Sequence, residues 1–202
     1  MTLEAKLFML MIKMESLNNY ILDLKNAIDS LSLEEVKKIG EILARAYKND
    51  KSVFIIGNGG SASTASHFAC DLGKGTLERY YDMNKKRFKA YSLTDNVALM
   101  TAYGNDLDYD NIFVQQLRNL IQQGDILISI TGSGNSKNIL KAIELANKMG
   151  AETISLLGFD GGKAKEISDH KIIIKSNNYG VIEDLHLMLE HMICQSLKEK
   201  IN

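Results

Sequence analysis

Apolar residues recur every three or four positions along the first thirty residues of the chain. From about residue 3 to residue 29 this spacing predicts one long amphipathic helix. Ser32 followed by Leu33-Glu34-Glu35 matches a capping box, which predicts a second helix that ends near Lys48. These two helices carry apolar surface without an adjacent strand, so we expect another subunit to cover them.

After residue 51, short apolar runs alternate with helical patterns, which predicts an α/β fold. The predicted strands lie at 53–57, 88–93, 126–130, 152–157 and 171–175, and the predicted helices at 62–72, 95–103, 109–122, 136–149, 162–167 and 181–199. Such alternation favours a doubly wound, parallel, five-stranded sheet flanked by helices, with a long N-terminal helical extension. We expect a single domain over 1–202, with helices in 1–50 at an oligomer interface and the α/β core in 51–202.

The charge and composition of the chain argue against nucleic-acid binding, disulfide bonds and a membrane location. The formal net charge of -1 gives no basic surface for phosphate neutralisation, so we expect no nucleic-acid partner. Cys70 and Cys194 have no disulfide or metal-site spacing, which favours two buried thiols in a reducing cytoplasm. The apolar run at 7–12 is too short to span a membrane and lacks a cleavage site, so we expect a cytoplasmic protein without a membrane partner.

Two loops rich in glycine and hydroxyl groups indicate a ligand site. The first predicted strand runs into Gly57-Asn58-Gly59-Gly60-Ser61, and the third runs into Thr131-Gly132-Ser133-Gly134-Asn135-Ser136. Glycines let the backbone approach a bound oxyanion, and a helix N-terminus offers free N–H groups to a phosphate. Because ligands of parallel sheets bind beyond the carboxyl ends of strands, both loops predict one site, and a phosphorylated sugar fits it well.

A nucleotide is the main alternative ligand for these loops. Gly57 to Ala62 matches the pattern G-x-G-x-x-A, but the next strand ends at Thr94-Asp95, much further away than the acidic residue of a dinucleotide site. The second loop also lacks the Walker spacing. We therefore expect no nucleotide cofactor, and phosphate binding is favoured over a plain turn.

His67 and Asp71 lie four residues apart, on one face of a predicted helix. Such a pair is either a local hydrogen-bonded pair at the surface, or two metal ligands, or a ligand and a base. The spacing alone leaves these possibilities open.

The last predicted helix carries several titratable residues. His186 and Glu190 are most simply interpreted as a solvated salt bridge. Glu183 and His191 are eight positions apart, about two turns along the helix, so periodicity does not by itself bring them to one site.

The order and spacing of these motifs resemble those of the sugar isomerase (SIS) domain proteins. Within them, the chain is similar to the sedoheptulose 7-phosphate isomerases, also called phosphoheptose isomerases. The resemblance covers nearly the whole chain and rests on Gly57-Asn58-Gly59-Gly60-Ser61, His67-Phe68-Ala69, Gly104-Asn105-Asp106, Ser133-Gly134-Asn135-Ser136, Leu185-His186 and His191.

The resemblance implies an aldose-ketose isomerase that converts sedoheptulose 7-phosphate to D-glycero-D-manno-heptose 7-phosphate through an enediol-type proton transfer. It implies a role in lipopolysaccharide or capsule precursors, and a homotetramer with active sites between subunits. The alternative is a non-catalytic SIS protein, acting as a sugar-phosphate sensor or as an adaptor that binds the replication initiator.

Site residues are implied by the same resemblance. The metal set, with zinc as the ion, is His67, Asp71, Glu183 and His191, and the catalytic residues are Asp71, His191 and Glu183. The sugar contacts are Asn58, Gly59, Gly60, Ser61, Asn105 and Asp106, and the phosphate contacts are Thr131, Gly132, Ser133 and Ser136.

Two positions depart from the family pattern. Asp71 stands where the family has a glutamate, and Glu183 stands where it has a glutamine. The shorter Asp71 side chain moves its oxygens back by about one C–C bond, which is large beside the roughly 0.5 Å tolerance of a catalytic site. The resemblance therefore leaves open whether Asp71 or Glu183 is the base.

Overall fold

The computed structural model describes residues 3–78 and 82–201, and of residues 3–13 it describes only the backbone. One five-stranded sheet has the order β2-β1-β3-β4-β5, and all its neighbouring strands are parallel. The strands are β1 (Ser52–Gly57), β2 (Lys89–Ser92), β3 (Ile126–Thr131), β4 (Glu152–Gly158) and β5 (His170–Ile174). The predicted parallel five-stranded α/β fold is confirmed.

The helices follow the predicted alternation with small shifts at their ends. They are α1 (Leu3–Asp29), α2 (Leu33–Lys48), α3 (Gly60–Cys70), α4 (Val97–Asp106), α5 (Val114–Leu120), α6 (Lys137–Lys148), α7 (Ala164–Ile167) and α8 (Tyr179–Ile201). The Ser32 hydroxyl accepts a hydrogen bond from the Glu35 N–H at 3.3 Å, as the capping box predicts. A π-helical turn, Asp71–Gly75, continues α3.

One predicted helix is divided in the structure. Residues 109–122 form a 3₁₀ turn (Tyr109–Asn111) and then α5, with a break between them. Ile112 and Phe113 lie in this break, and both are fully buried. Both side chains belong to the same hydrophobic core.

Helices cover both faces of the sheet. On one face α2, α3 and α8 pack over a core that includes Ile126, Ile128 and Ile130 of β3. On the other face α5, α6 and α7 pack over Leu127 of the same strand. Successive strand residues point to opposite faces, so strand β3, which is buried along its whole length, supplies both cores.

The strand order places a crevice beside the two glycine-rich loops. Strand β1 lies between β2 and β3. The chain passes from β1 to β2 on one side of β1 and then returns as β3 on its other side. In open parallel sheets the ligand binds at this switch point, beyond the carboxyl ends of the strands. The loops that follow β1 and β3 are therefore neighbours, as predicted.

The described part of α1 leaves most of its apolar side chains in solvent. Ala27 is buried, and the Tyr20 hydroxyl donates a hydrogen bond to Asp184 of α8 at 2.6 Å. The exposed apolar side chains are Met14, Leu17, Ile21, Leu22 and Ile28. Within the described residues, no helix combines the length and the apolar character that a membrane crossing requires.

His186 is a fully buried imidazole of α8. Its Nε2 lies 3.1 Å from the Leu157 carbonyl oxygen, to which it donates a hydrogen bond in the neutral form. Glu190 is also fully buried, so the interpretation of these two residues as a solvated salt bridge is wrong. Burial lowers the pKa of His186 to about 4, and the ring is therefore neutral in the folded protein.

This shift predicts a loss of stability in acid. Between pH 6.5 and 4 the unfolded chain protonates His186 while the folded protein does not, so stability falls as the pH is lowered through this window. From pH 7.5 to 5, wild type should lose about 2 kcal/mol relative to His186→Gln, since one pKa unit corresponds to about 1.4 kcal/mol. Urea unfolding at both pH values measures this difference. Equal losses in the two proteins would contradict the prediction.

Candidate active site

The loop after β1 brings the backbone against α8. A Cβ at Gly57 would overlap the backbone carbonyl of Ser61, and a Cβ at Gly60 would lie 2.7 Å from Oε2 of Glu183. Gly59 has φ +57°, a conformation that favours glycine. The glycines in this segment therefore allow a tight turn in which the start of α3 touches the carboxylate of Glu183.

The loop after β3 is held by its own hydrogen bonds. The Gly134 N–H donates to Thr131 Oγ1 at 3.3 Å, and the Gly134 carbonyl accepts from the Ala164 N–H at 2.9 Å. Gly134 has φ +63°, and a Cβ there would overlap the Gly161 carbonyl. The turn is fixed before any ligand arrives, with Ser133 and Ser136 at the start of α6.

Asn58 connects the two loops. Its side-chain amide exchanges two hydrogen bonds with Asn138 of α6, at 3.0 Å and 2.9 Å. The Tyr109 hydroxyl donates a third hydrogen bond to Asn58 Oδ1 at 3.0 Å. These contacts hold the first loop in register with the second.

A cavity of about 130 Å³ lies between the two loops and the beginning of α8. It brings together most of the predicted substrate contacts from both loops, and Glu183 of α8. Its lining residues are Asn58, Ser61, Ile130, Thr131, Gly132, Ser133, Ser136, Tyr179 and Glu183. Hydroxyl and amide groups dominate this lining, which suits a phosphorylated sugar.

Four predicted sugar contacts do not line this cavity. Gly59 and Gly60 belong to the adjoining turn, whereas Asn105 and Asp106 lie exposed at the end of α4. Asn105 Nδ2 donates to Asp106 Oδ1 at 2.9 Å. The roles of these four residues remain predictions.

A cluster of titratable side chains lies between α3 and α8. His67, Asp71, Glu190 and His191 each place one potential ligand atom within 4.8 Å of the others. Asp71 Oδ2 lies 3.8 Å from His67 Nε2 and 3.9 Å from His191 Nε2. The two imidazole rings meet edge to face, with centroids 5.0 Å apart. The structure thus unites three predicted ligands and adds Glu190, which the sequence had not indicated as a ligand.

Glu190 is the buried member of this cluster. Its side chain is 0% exposed, and among the described residues neither carboxylate oxygen has a hydrogen-bond partner. Burial, together with the negative charge of Asp71, raises the pKa of Glu190 to about 8. Burial and the same carboxylates raise the pKa of the Cys194 thiol, which is buried as predicted. Cys70 is exposed, so its predicted burial is wrong.

The donor set of the cluster fits a divalent metal ion. Two imidazoles and two carboxylates are common zinc ligands, and ligands about 2.1 Å from a tetrahedral ion lie about 3.4 Å apart. The cluster's ion-pair distances of 3.7–3.9 Å are close to that separation. Glu183, predicted as the fourth ligand, is not in this cluster and lines the cavity instead.

The cavity and the cluster lie at two different points along the same pair of helices, α3 and α8. Gly60 meets Glu183 beside the cavity, and His67 meets His191 further along the two helices. With a rise of 1.5 Å per residue, seven or eight residues correspond to about 10–12 Å. The histidine side chains are about half exposed, so a ligand in the cavity can extend toward them.

Comparisons with known proteins identify the family of the chain. Residues 18–158 match the SIS domain family. The chain belongs to the SIS domain family. It is 40% identical to the phosphoheptose isomerase of Helicobacter pylori strain P12 over 176 residues, which cover 87% of this chain and 88% of that protein.

Two solved structures are also similar to this SIS protein over nearly its full length. The phosphoheptose isomerase of Neisseria gonorrhoeae superposes with a TM-score of 0.82 at 28% identity, covering 98% of this chain and 100% of that one. The phosphoheptose isomerase of Francisella tularensis superposes with a TM-score of 0.83 at 27% identity, with the same coverage. The shared architecture therefore includes α1 and α8 as well as the sheet.

Tyr179 is a cavity residue of this SIS protein that sequence reasoning missed. Its ring packs edge to face on Phe159, with centroids 4.8 Å apart. A Cβ at Gly132 would lie 3.0 Å from its Cε1 atom. In the sequence, Tyr179 lies in a polar segment before the last predicted helix, and no local pattern indicates that it faces the second loop.

The contact between Gly60 and Glu183 predicts that a substitution at Gly60 lowers activity without preventing folding. Gly60→Ala should push the Glu183 carboxylate out of the cavity while the chain still folds, because the nearest atoms are the end of a flexible side chain. We expect the catalytic efficiency on sedoheptulose 7-phosphate, the substrate that the resemblance implies, to fall at least about 10-fold. Displacements of catalytic groups near 1 Å can lower a rate about 100-fold. Steady-state kinetics and thermal unfolding measure the two effects.

Gly73→Ala is the matched control, because a Cβ there meets nothing within 4 Å. It should leave both kinetics and unfolding temperature near the wild-type values. Wild-type kinetics in Gly60→Ala would contradict the inferred role of this contact.

Proposed function

We propose that this SIS protein is an aldose-ketose isomerase that converts sedoheptulose 7-phosphate to D-glycero-D-manno-heptose 7-phosphate. The supporting observation is that a cavity rich in hydroxyl groups and the cluster of His67, Asp71 and His191 lie along the same two helices, α3 and α8. Relatives that carry the name phosphoheptose isomerase match most of the chain, which supports the same reaction. A sensor or adaptor would have no use for this set of acids and imidazoles.

The phosphate group of the sugar would bind at the second loop. Ser133 and Ser136 offer hydroxyl groups, and free backbone N–H groups lie at the start of α6. This binding fixes the far end of the substrate, so its energy can be used to orient the reacting carbons C1 and C2. Ser61 and Asn58 would contact the sugar hydroxyl groups between the two ends.

The chemical step is a proton transfer between neighbouring carbons. A carboxylate accepts a proton from C1 of the ketose while the carbonyl oxygen at C2 gains a proton, which gives an enediol. The carboxyl group then returns its proton to C2 as the hydroxyl at C1 loses one, and an aldehyde forms at C1. Glu183 and Asp71 are the candidate bases, and His191 is the candidate acid.

His67, Asp71 and His191 would hold a zinc ion, which would act as a Lewis acid on the substrate oxygen when bound. The supporting observation is the buried Glu190 carboxylate beside these three side chains, which accepts no hydrogen bond from any residue that the structure describes. The chain's own residues provide the remaining chemistry, since they orient the sugar and carry the proton between carbons.

The assembly we propose is a cytoplasmic homotetramer of single-domain chains, with helices of residues 1–50 in the interface. Exposed apolar side chains on α1, including Leu17 and Ile21, support a contact between subunits. The heptose product would serve lipopolysaccharide or capsule precursors.

Activity measurements test the reaction directly. Wild type should isomerise sedoheptulose 7-phosphate, and Asp71→Ala and His191→Ala should each lower kcat by about 100- to 10,000-fold, the usual range for a lost acid or base. NMR can follow the conversion of ketose to aldose. The surface variant Glu166→Gln is the control and should retain full activity. An inactive wild type, or unchanged rates in both Asp71→Ala and His191→Ala, would refute the proposal.

The interface proposal is tested by charge placement on α1. Leu17→Glu combined with Ile21→Glu should break the tetramer into smaller species, because charges would be buried at the contact. Met149→Glu at the end of α6 introduces the same charge outside α1 and should leave the assembly intact. Light scattering coupled to size-exclusion chromatography distinguishes the outcomes, and a tetramer in both proteins would place the interface elsewhere.

A further inference from the structure

We infer that Glu190 is the buried fourth ligand of the metal ion in this chain, in the position that the family resemblance gives to Glu183. The inference rests on the zinc site proposed above and assigns a residue to it. It changes the role of Glu183, which then remains available to the substrate.

Glu190 lies in a buried environment that does not compensate its charge. Its side chain is completely buried, and neither oxygen has a hydrogen-bond partner in the part of the chain that the structure describes. An unpaired carboxylate in a protein interior is costly, and such groups are normally paired or bound to a metal. Asp71, the other acid of the cluster, adds a second negative group rather than a compensating one.

The distances carry the second step. His191 Nε2 lies 3.7 Å from Glu190 Oε2, which is too long for a hydrogen bond and close to the spacing of two ligands on one ion. The same holds for Asp71 with His67 and with His191, at 3.8 Å and 3.9 Å. Two acids and two imidazoles therefore surround one point, with Glu190 on its buried side and the other three partly exposed to solvent.

The position of Glu183 carries the third step. It precedes His191 by eight residues, about 12 Å along a straight helix, and its carboxylate contacts Gly60 and lines the cavity. Glu183 and His191 of one chain could meet at the same ion only if both side chains extended toward each other along α8, which is continuous from Tyr179 to Ile201. Within a subunit, Glu190 is the carboxylate of α8 that lies beside His191.

The experiment compares Glu190→Gln with Glu183→Gln, which is the same change on the same helix about two turns away. Each protein is stripped of metal and titrated with zinc, and affinity is measured by competition with a chromophoric chelator. Glu190→Gln should weaken zinc binding at least about 100-fold, because even loss of an outer-shell partner costs about 10- to 100-fold. Glu183→Gln should bind zinc within about threefold of wild type and lose isomerase activity instead.

Thermal unfolding provides a second readout that does not depend on activity. Without metal, Glu190→Gln should be at least as stable as wild type, since it replaces a buried acid, whose charged form the interior disfavours, by a neutral amide of similar shape. Saturating zinc should raise the Tm of wild type and of Glu183→Gln, and should raise that of Glu190→Gln much less. This comparison separates a lost ligand from a damaged fold.

Three results would overturn the inference. Zinc binding lost in Glu183→Gln but kept in Glu190→Gln would mean that Glu183 reaches the ion from another subunit. Equal affinities in all three proteins would remove both residues from the site. Failure of wild type to bind zinc would remove the ion, and with it the ligand role of Glu190.

These outcomes are distinct from failure of the proposed function. A wild-type protein that binds zinc through Glu190 but does not isomerise sedoheptulose 7-phosphate would refute the function and leave the ligand assignment intact. A wild type that isomerises sedoheptulose 7-phosphate but does not bind zinc would refute the ligand assignment alone.

Discussion

The close approach of α8 to the carboxyl edge of the sheet is the constraint on which the site depends. Strands β1 and β4 end in glycine, and Gly132 directly follows β3. A Cβ at Gly158 would lie 2.6 Å from Ile182, and Cβ atoms at Gly60 and Gly132 would press on Glu183 and Tyr179 in the same way. Because these positions are glycines, the loop backbones contact α8 directly, and the first turn of α8 lines the cavity.

The same packing explains the unusual polar residues inside α8. The helix is held against α2, α3 and the sheet over most of its length, which takes His186 and Glu190 out of solvent. His186 is compatible with burial because it is neutral and donates to a carbonyl. Among the described residues Glu190 has no such partner, and it lies beside two histidines and Asp71. The helix that packs into the core therefore also carries two members of the titratable cluster, Glu190 and His191.

Much of the fold could be predicted because it follows from local patterns. The five apolar runs became strands within about two residues of their predicted ends, and the capping box at Ser32 formed. The two glycine-rich loops were also assigned to one site correctly, since parallel strands bring their carboxyl ends to one edge. Predictions that needed a solvent-exposure estimate were less successful: Cys70 is exposed, and His186 with Glu190 is not a surface ion pair.

The sequence by itself determined the class of the fold, the glycine-rich loops at two strand ends and the common helix face of His67 and Asp71, because each depends on residues close together in the chain. Only the tertiary structure decided which side chains of α8 join which group. Helical periodicity fixes the angle of a residue around its own axis but not the neighbour that it meets. The packing of α3 along α8 placed Glu183 at the cavity and Glu190 beside His191. Because Glu183 and Glu190 are seven residues apart on α8, they meet α3 at positions about 10 Å apart.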